Sequence, residues 1–312
     1  MSDQALRRWL LTGFLLLSLA AQAATGAALE RHAVVVDGHP FAVWSKVPAQ
    51  PRAVMLLIHG RTWSTRPDFD LQVPGEDLSL MDGLVAADIA AYGLDLRGYG
   101  ETPRDASGWL TPDRAAADVG EVLGWVARRH PELAAPYLFG WSYGATVSQL
   151  VGQRHAEAMS GLVLFGYPVR PGYDKSPENE TPLKAPTTAE AAASDFILPG
   201  TISDVAIEAF VASALASDPV RMDWRALEQW QTLDAAAVTV PVLLLQAAED
   251  PLALLDVHAA LFAGLNTKDK VWALIPGGDH AAFMETPRPY FLSLIEAFVF
   301  RGETEFNNLF CC

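Results

Sequence analysis

The chain has 312 residues, 51% of them hydrophobic and 19% charged, with a formal net charge of −15 at pH 7. That balance excludes a disordered polyelectrolyte and supplies the apolar material for one large core, or for one domain carrying an insertion. So large an acidic excess also argues against nucleic acid and an anionic membrane surface as partners, but it leaves small substrates open, because a pocket can oppose the overall sign.

At the N-terminus, Arg7 and Arg8 precede an apolar run over residues 9–20, and Ala21-Gln22-Ala23 follows. This is the order of a secretory signal, so residues 1–23 read as a cleaved signal peptide and the mature protein as secreted or periplasmic. With residues 25–28 added, the run approaches the ~20 residues of a spanning helix, which makes an uncleaved N-terminal anchor the alternative. Once cleaved, the chain has no segment for stable membrane insertion. The two cysteines, Cys311 and Cys312, close a polar tail over residues 302–312, and adjacent thiols cannot staple a core.

After the leader, two strand-like runs flank Asp37-Gly38, a hairpin turn signal. Residues 53–58 form a continuous apolar run of the kind buried on both faces of a parallel sheet, and it ends in His59-Gly60-Arg61-Thr62-Trp63. A polar loop through Pro67, Asp68 and Pro74 leads to a helix expected over 77–87, then to a strand over 89–95 and the glycine-rich turn Leu96-Arg97-Gly98-Tyr99-Gly100. Thr111-Pro112-Asp113 opens a helix expected to reach about residue 129, before Pro131. Further strands are expected over 136–139 and 161–166, with a helix between them. From residue 168 to 239 the pattern changes: prolines crowd 171–186, helical segments follow over 203–216 and 219–233, and no buried strand is visible. This stretch reads as a helical lid. The alternation resumes with a strand over 240–246, a helix over 254–264, a strand over 270–275 and a helix over 288–300. The fold class is therefore α/β, a mostly parallel central sheet flanked by helices, with its core in residues 30–167 and 240–301.

The stretch Gly140-Trp141-Ser142-Tyr143-Gly144 stands where a buried strand turns at once into a helix. Flanking glycines remove the Cβ atoms that would clash in so sharp a bend, which leaves the serine hydroxyl exposed beside a helix N-terminus. A serine hydroxyl becomes a nucleophile only when a base takes its proton and a third group holds that base. His280 closes a glycine-containing loop after the last strand, and Asp250 closes the loop after the strand before it. Ser142, Asp250 and His280 thus lie beyond the C-terminal ends of three strands, which in an open α/β sheet form the ligand-binding edge. Glu249, Asp256 and Asp279 compete with Asp250 as the orienting acid, although Asp279 adjoins His280 and neighbouring side chains diverge. Trp63, Trp141 and Tyr143 are candidates for lining an apolar acyl pocket, with packing beneath the serine as the alternative for Trp141. Arg97 reads as a loop brace, and Arg61 and Arg66 either attract an acidic substrate or are solvated. No His, Asp, Glu or Cys cluster has ligand spacing, so neither a metal nor another cofactor is expected.

Taken together, the turn at Gly140–Gly144, the His59-Gly60 loop, the Asp95-Leu96-Arg97-Gly98-Tyr99-Gly100 turn, the acid loop at Asp250 and the Gly278-Asp279-His280 end resemble the α/β-hydrolase fold over about residues 54–300. That resemblance implies a serine hydrolase cleaving an ester of a small-molecule acyl substrate through an acyl-enzyme. It further implies an oxyanion hole made by the backbone N–H groups of Tyr143 and Arg61, and a structural rather than catalytic His59. An aminopeptidase or amidase, with Glu178 or Glu180 holding a substrate amine, and an acyltransferase remain as alternatives. So does a binding module on a degenerate hydrolase fold. Two departures matter: Arg61-Thr62-Trp63 stands where peptidase relatives often carry Gly-Gly-Pro, and Ser142 stands where relatives acting on epoxides or haloalkanes carry Asp. The sequence leaves substrate identity and oligomeric state open.

Overall fold

The computed structural model describes residues 27–168 and 175–303, so the expected signal peptide and the Cys311-Cys312 end lie outside the described residues. Its strands are β1 (Glu30–Val36), β2 (His39–Lys46), β3 (Ala53–Ile58), β4 (Ile89–Leu94), β5 (Trp109–Leu110), β6 (Tyr137–Trp141), β7 (Gly161–Phe165), β8 (Asp223–Trp224), β9 (Val242–Ala247) and β10 (Lys270–Ile275). Eight of them form one sheet in the order β1-β2-β4-β3-β6-β7-β9-β10, while β5 pairs with β8 apart from it. The β1–β2 and β2–β4 pairs are antiparallel, and every pairing from β4 to β10 is parallel. The β1–β2 hairpin turns on Asp37 (φ 49°) and Gly38 (φ 75°), the pair of left-handed residues a two-residue turn of this hand requires.

Burial follows from the crossovers. A parallel strand needs a long return connection, and here helices make it on both faces, so β4, β6, β7 and β9 are buried along their whole length. The helices are α1 (Thr65–Phe69), α2 (Leu80–Ala86), α3 (Pro112–Arg129), α4 (Tyr143–Arg154), α5 (Ala189–Ala193), α6 (Asp204–Ser217), α7 (Leu255–Gly264) and α8 (Arg288–Val299). One core layer joins Val119, Val122 and Val126 of α3 to Val147 and Leu150 of α4, and the other joins α2 to Phe291 and Ile295 of α8. The start of α3 is held by Thr111, whose Oγ1 accepts the Arg114 N–H at 3.2 Å, a cap worth about 1 kcal/mol. The helix expected from residue 77 begins instead at Leu80, because Ser79 caps it by accepting the Asp82 N–H at 3.0 Å.

The chain between β7 and β9 is part helix and part strand, which corrects the expectation of a purely helical lid. The α6 helix forms as expected, and Ala206, Phe210 and Ala214 make its buried stripe. No helix forms over 219–233. There, Asp223 and Trp224 pair with Trp109 and Leu110, Ala226 takes φ 54°, and only a 3-10 segment, Leu227–Thr232, follows. A left-handed residue cannot sit inside an α-helix, and the pull is tertiary: the Trp224 indole N–H donates to Tyr99 Oη at 2.8 Å. The loop expected to be polar after β3 is also buried. It contains α1, on which α6 packs, and Asp68 and Asp70 lie inside it. Asp70 pairs there with Lys46 at 2.7 Å.

Candidate active site

The turn from β6 into α4 shows why both glycines of the Gly140–Gly144 stretch are needed. A Cβ on Gly140 would lie 2.4 Å from the Gly144 carbonyl oxygen, and one on Gly144 would lie 2.3 Å from the carbonyl oxygens of both Ile58 and His59. The helix thus touches the end of β3 backbone to backbone. Between them Ser142 adopts φ 54°, ψ −125°, a conformation that costs a residue with a side chain about 1–3 kcal/mol and persists only when its surroundings enforce it. Part of that enforcement is the Ser142 N–H, which donates to the Phe165 carbonyl at 2.9 Å. Gly60 approaches from the β3 side, where a Cβ would sit 3.5 Å from Ser142 Cβ. The loop carrying the expected oxyanion donor Arg61 therefore lies beside the serine, and the other expected donor, Tyr143, is the first residue of α4.

His280 and Asp250 meet, with Nδ1 2.7 Å from Oδ2. Both residues are buried, at 3% and 7% exposure. Since an ionised carboxylate only accepts, His280 Nδ1–H is the donor and Nε2 is left as the basic nitrogen. The second oxygen of Asp250 accepts the N–H groups of Leu252 at 2.8 Å and Ala253 at 3.2 Å, which fixes the carboxylate. The competing acids are engaged elsewhere. Glu249 accepts the Gly277 N–H at 3.1 Å, and Asp256 accepts the Val257 N–H at 3.0 Å. Asp279 accepts the Ala281 N–H at 3.0 Å, the Ile197 N–H at 2.6 Å and the Leu198 N–H. Beneath the same loop, Glu285 accepts the Asp279 N–H at 2.9 Å and the Thr201 hydroxyl at 2.7 Å, and burial pushes its carboxyl well above the usual range.

The imidazole ring rests in a backbone notch. Gly166 has φ 60°, and a Cβ there would lie 3.0 Å from His280 Cε1. Trp141 supports the same residue from below: its indole N–H donates to the His280 carbonyl at 2.7 Å, and its ring packs edge-on against Phe283 at 5.0 Å. Trp141 is buried, at 2% exposure. Trp63, also 2% exposed, donates its indole N–H to Asp195 Oδ2 at 2.8 Å and meets Phe210 edge-on.

His59 is fully buried between two backbone groups, with Nδ1–H donating to the Gly60 carbonyl at 2.8 Å and Nε2 accepting the Leu96 N–H at 3.0 Å. Burial lowers its pKa to about 4, so it stays neutral and locks two loops together. Arg97 likewise braces, holding Asp118 through Nε at 3.0 Å and Nη2 at 2.9 Å.

Tyr143 and several residues that the sequence did not single out shape this region. Tyr99, placed by the turn after β4, donates its hydroxyl to the Arg61 carbonyl and accepts from Trp224, so the oxyanion-side loop is tied to the β7–β9 connection. Tyr143 is held in the same way, accepting the Trp230 indole N–H at 2.7 Å. Asp218 accepts the Ser64 N–H at 2.8 Å and the Gly100 N–H at 2.7 Å. Burial raises both Asp195 and Asp218 to about 6; the nearby His280 and the Trp63 N–H pull Asp195 the other way. The only signal for these residues was the glycine spacing around Tyr99; Asp195 and Asp218 sit among alanines and serines with no motif. A cavity of about 1050 Å³ opens at the opposite edge of the sheet, lined by Asp82, Gly83, Asp88 and Arg288, and contains none of Ser142, Asp250 or His280.

Residues 49–287 match the family model Hydrolase_4, described as "Serine aminopeptidase, S33". A search of curated protein sequences returns no match. Among solved structures, a soluble variant of monoglyceride lipase from Saccharomyces cerevisiae superposes with a TM-score of 0.67 at 18% identity, covering 88% of this chain and 95% of that one. A thioesterase domain from the curacin biosynthetic pathway gives 0.60 at 18% identity, covering 86% and 99%. An epoxide hydrolase from Vigna radiata gives 0.58 at 17% identity, covering 88% and 98%. These similarities establish the fold, on which several chemistries are found.

Proposed function

The chain belongs to the α/β-hydrolase family described as serine aminopeptidase, S33, and from that premise we propose that it is a serine hydrolase cleaving an ester bond through an acyl-enzyme intermediate. Ser142 Oγ attacks the carbonyl carbon while His280 Nε2 takes its proton, and Asp250 holds the resulting imidazolium. The tetrahedral oxyanion is received by the N–H groups of Tyr143 and Arg61. Such donors are fixed before charge develops, and each is worth about 3 kcal/mol of barrier. His280 then protonates the departing alcohol and activates the water that releases the acid. The observation that carries this reading is the strained backbone of Ser142 (φ 54°, ψ −125°) in a strand-to-helix turn closed by the backbone contacts of Gly140 and Gly144, because that is the geometry that presents a serine as a nucleophile.

The segment between β7 and β9 would select the substrate, as a lid. The family description favours an aminopeptidase as the second reading. Glu178 and Glu180, the acids such a reading would use for a substrate amine, are both exposed. The test is kcat/KM for aryl esters of increasing acyl length against aminoacyl anilides. Preference for the esters supports the proposal, and preference for the anilides replaces it with the second reading. Inactivity toward every activated ester leaves the binding-module reading. Export from the cytoplasm is proposed from Arg7-Arg8 and the run that follows, and N-terminal sequencing of the protein recovered from its native compartment tests it: a start at Ala24 supports cleavage.

A further inference from the structure

A second cavity, of about 280 Å³, opens where the β7–β9 connection meets the oxyanion-side loop; Arg61, Lys175, Arg221, Trp109 and Trp224 are among the residues that line it. Its charge runs against that of the molecule, whose net formal charge is −15. Among the described residues, Asp223 is the one carboxylate in the lining, and it is already engaged. It accepts from Arg104 at 3.0 Å and from the N–H groups of Leu183 and Lys184, both at 3.1 Å. The Arg61 side chain contacts the Tyr143 ring, its guanidinium carbon 5.1 Å from the centroid, and its buried Nε has no hydrogen-bond partner among the described residues. A guanidinium held in place with a buried donor unmet is poised for an oxyanion, which it binds with paired, charge-assisted hydrogen bonds.

We propose that this cavity is a recognition site for an oxyanion, a carboxylate or a phosphate, carried on the substrate a short distance from the scissile carbonyl. The inference rests on the hydrolase reading for the scissile bond but not for the anion. Its link to the chemistry is Tyr143, which follows Ser142 and meets both the Arg61 guanidinium and the Trp224 ring, the latter at 5.1 Å. A substrate acylating Ser142 therefore extends past Tyr143 toward Arg61, with Arg221 and Lys175 at the mouth and the two tryptophans as apolar walls for the connecting carbons. Steering of an anionic substrate to this cationic inlet would also offset repulsion by the acidic surface.

Two measurements at fixed ionic strength separate the anion site from the esterase reading. The first needs no turnover: glutarate, its neutral analogue glutaramide and inorganic phosphate are titrated into the wild-type protein and followed by tryptophan fluorescence. Saturable binding of glutarate or phosphate, absent for glutaramide and weakened at least about tenfold by Arg61→Gln and by Arg221→Gln, supports the site, and which anion binds identifies the source of the oxyanion. No saturable response to either anion, an equal response to glutaramide, or unchanged binding in both variants overturns it. The second compares the monoaryl ester of glutarate with its methyl-capped diester. Wild type should favour the charged ester at least about tenfold in kcat/KM, and Arg221→Gln should collapse that ratio toward one. Equal turnover of both esters by wild type refutes the anion site and leaves the esterase reading standing. Turnover of neither, with glutarate still bound, refutes the esterase reading and leaves the anion site.

Discussion

Replacing Gly144 by Ala tests whether the geometry around Ser142 depends on contact between backbones. The added Cβ would lie 2.3 Å from the carbonyl oxygens of Ile58 and His59, whereas ordinary contact begins near 3.4 Å. Neither oxygen can swing aside. Ile58 is in β3, between β4 and β6, and His59 is clamped by its own imidazole bonds. The N-terminus of α4 must therefore retreat by roughly 1 Å, carrying Tyr143 and the Ser142 hydroxyl away from Arg61 and His280. Overpacking of this kind costs about 1–3 kcal/mol of stability, and a 1 Å displacement of reacting groups costs about 10²-fold in rate. Urea unfolding and ester kinetics on the purified variant should show both losses together, with circular dichroism close to wild type. Wild-type kcat in a Gly144→Ala variant of unchanged stability would refute the reasoning, because the sharp turn would then not need the close approach.

Asp250→Asn should lower kcat by about 10³- to 10⁴-fold by losing the carboxylate that orients Nδ1–H, whereas Glu249→Gln, which loses only part of a loop bond to Gly277, should stay within about threefold in esterase assays. Reversal of the two would make Glu249 the acid. Tyr99→Phe removes the group that joins Trp224 to the Arg61 carbonyl and should cost about 2 kcal/mol in urea denaturation, with a fall in kcat larger than any rise in KM. Stability should also respond to pH through Asp195 and Asp218. Their folded values near 6 exceed the unfolded 3.8, so the native state binds more protons than the unfolded chain between pH 4 and 6. Their stabilising contribution is complete below about pH 4 and is lost as pH rises through 6, by about 3 kcal/mol per group. Asp218→Asn should flatten the slope of unfolding free energy between pH 4.5 and 7, and an unchanged slope would contradict the burial argument.

The sheet was legible because a strand buried on both faces declares itself as an apolar run, and the runs at 53–58, 161–166 and 240–246 recur as β3, β7 and β9. Ser142, Asp250 and His280 were legible as candidates for a related reason: each lies just beyond the C-terminal end of a strand, and parallel strands end on one edge. The β7–β9 connection was harder to read, since its conformation answers to partners remote in sequence. Nothing local says that Trp224 will pair beside Trp109 and reach Tyr99, or that Ala226 will take a left-handed turn. The buried carboxylates failed for the same reason. Asp68 and Asp218, which are buried, and the half-buried Asp195 look like surface acids until the connection folds.

The central claim is that Ser142 is a nucleophile activated by His280. Reaction with a fluorophosphonate probe followed by peptide mapping tests it most directly. Stoichiometric modification of the peptide containing Ser142 is expected, abolished in Ser142→Ala and slowed by at least 10²-fold in His280→Ala while both variants keep the wild-type fold. Labelling of the Ser142→Ala protein at the wild-type rate, or an adduct mapped to another serine, would contradict it.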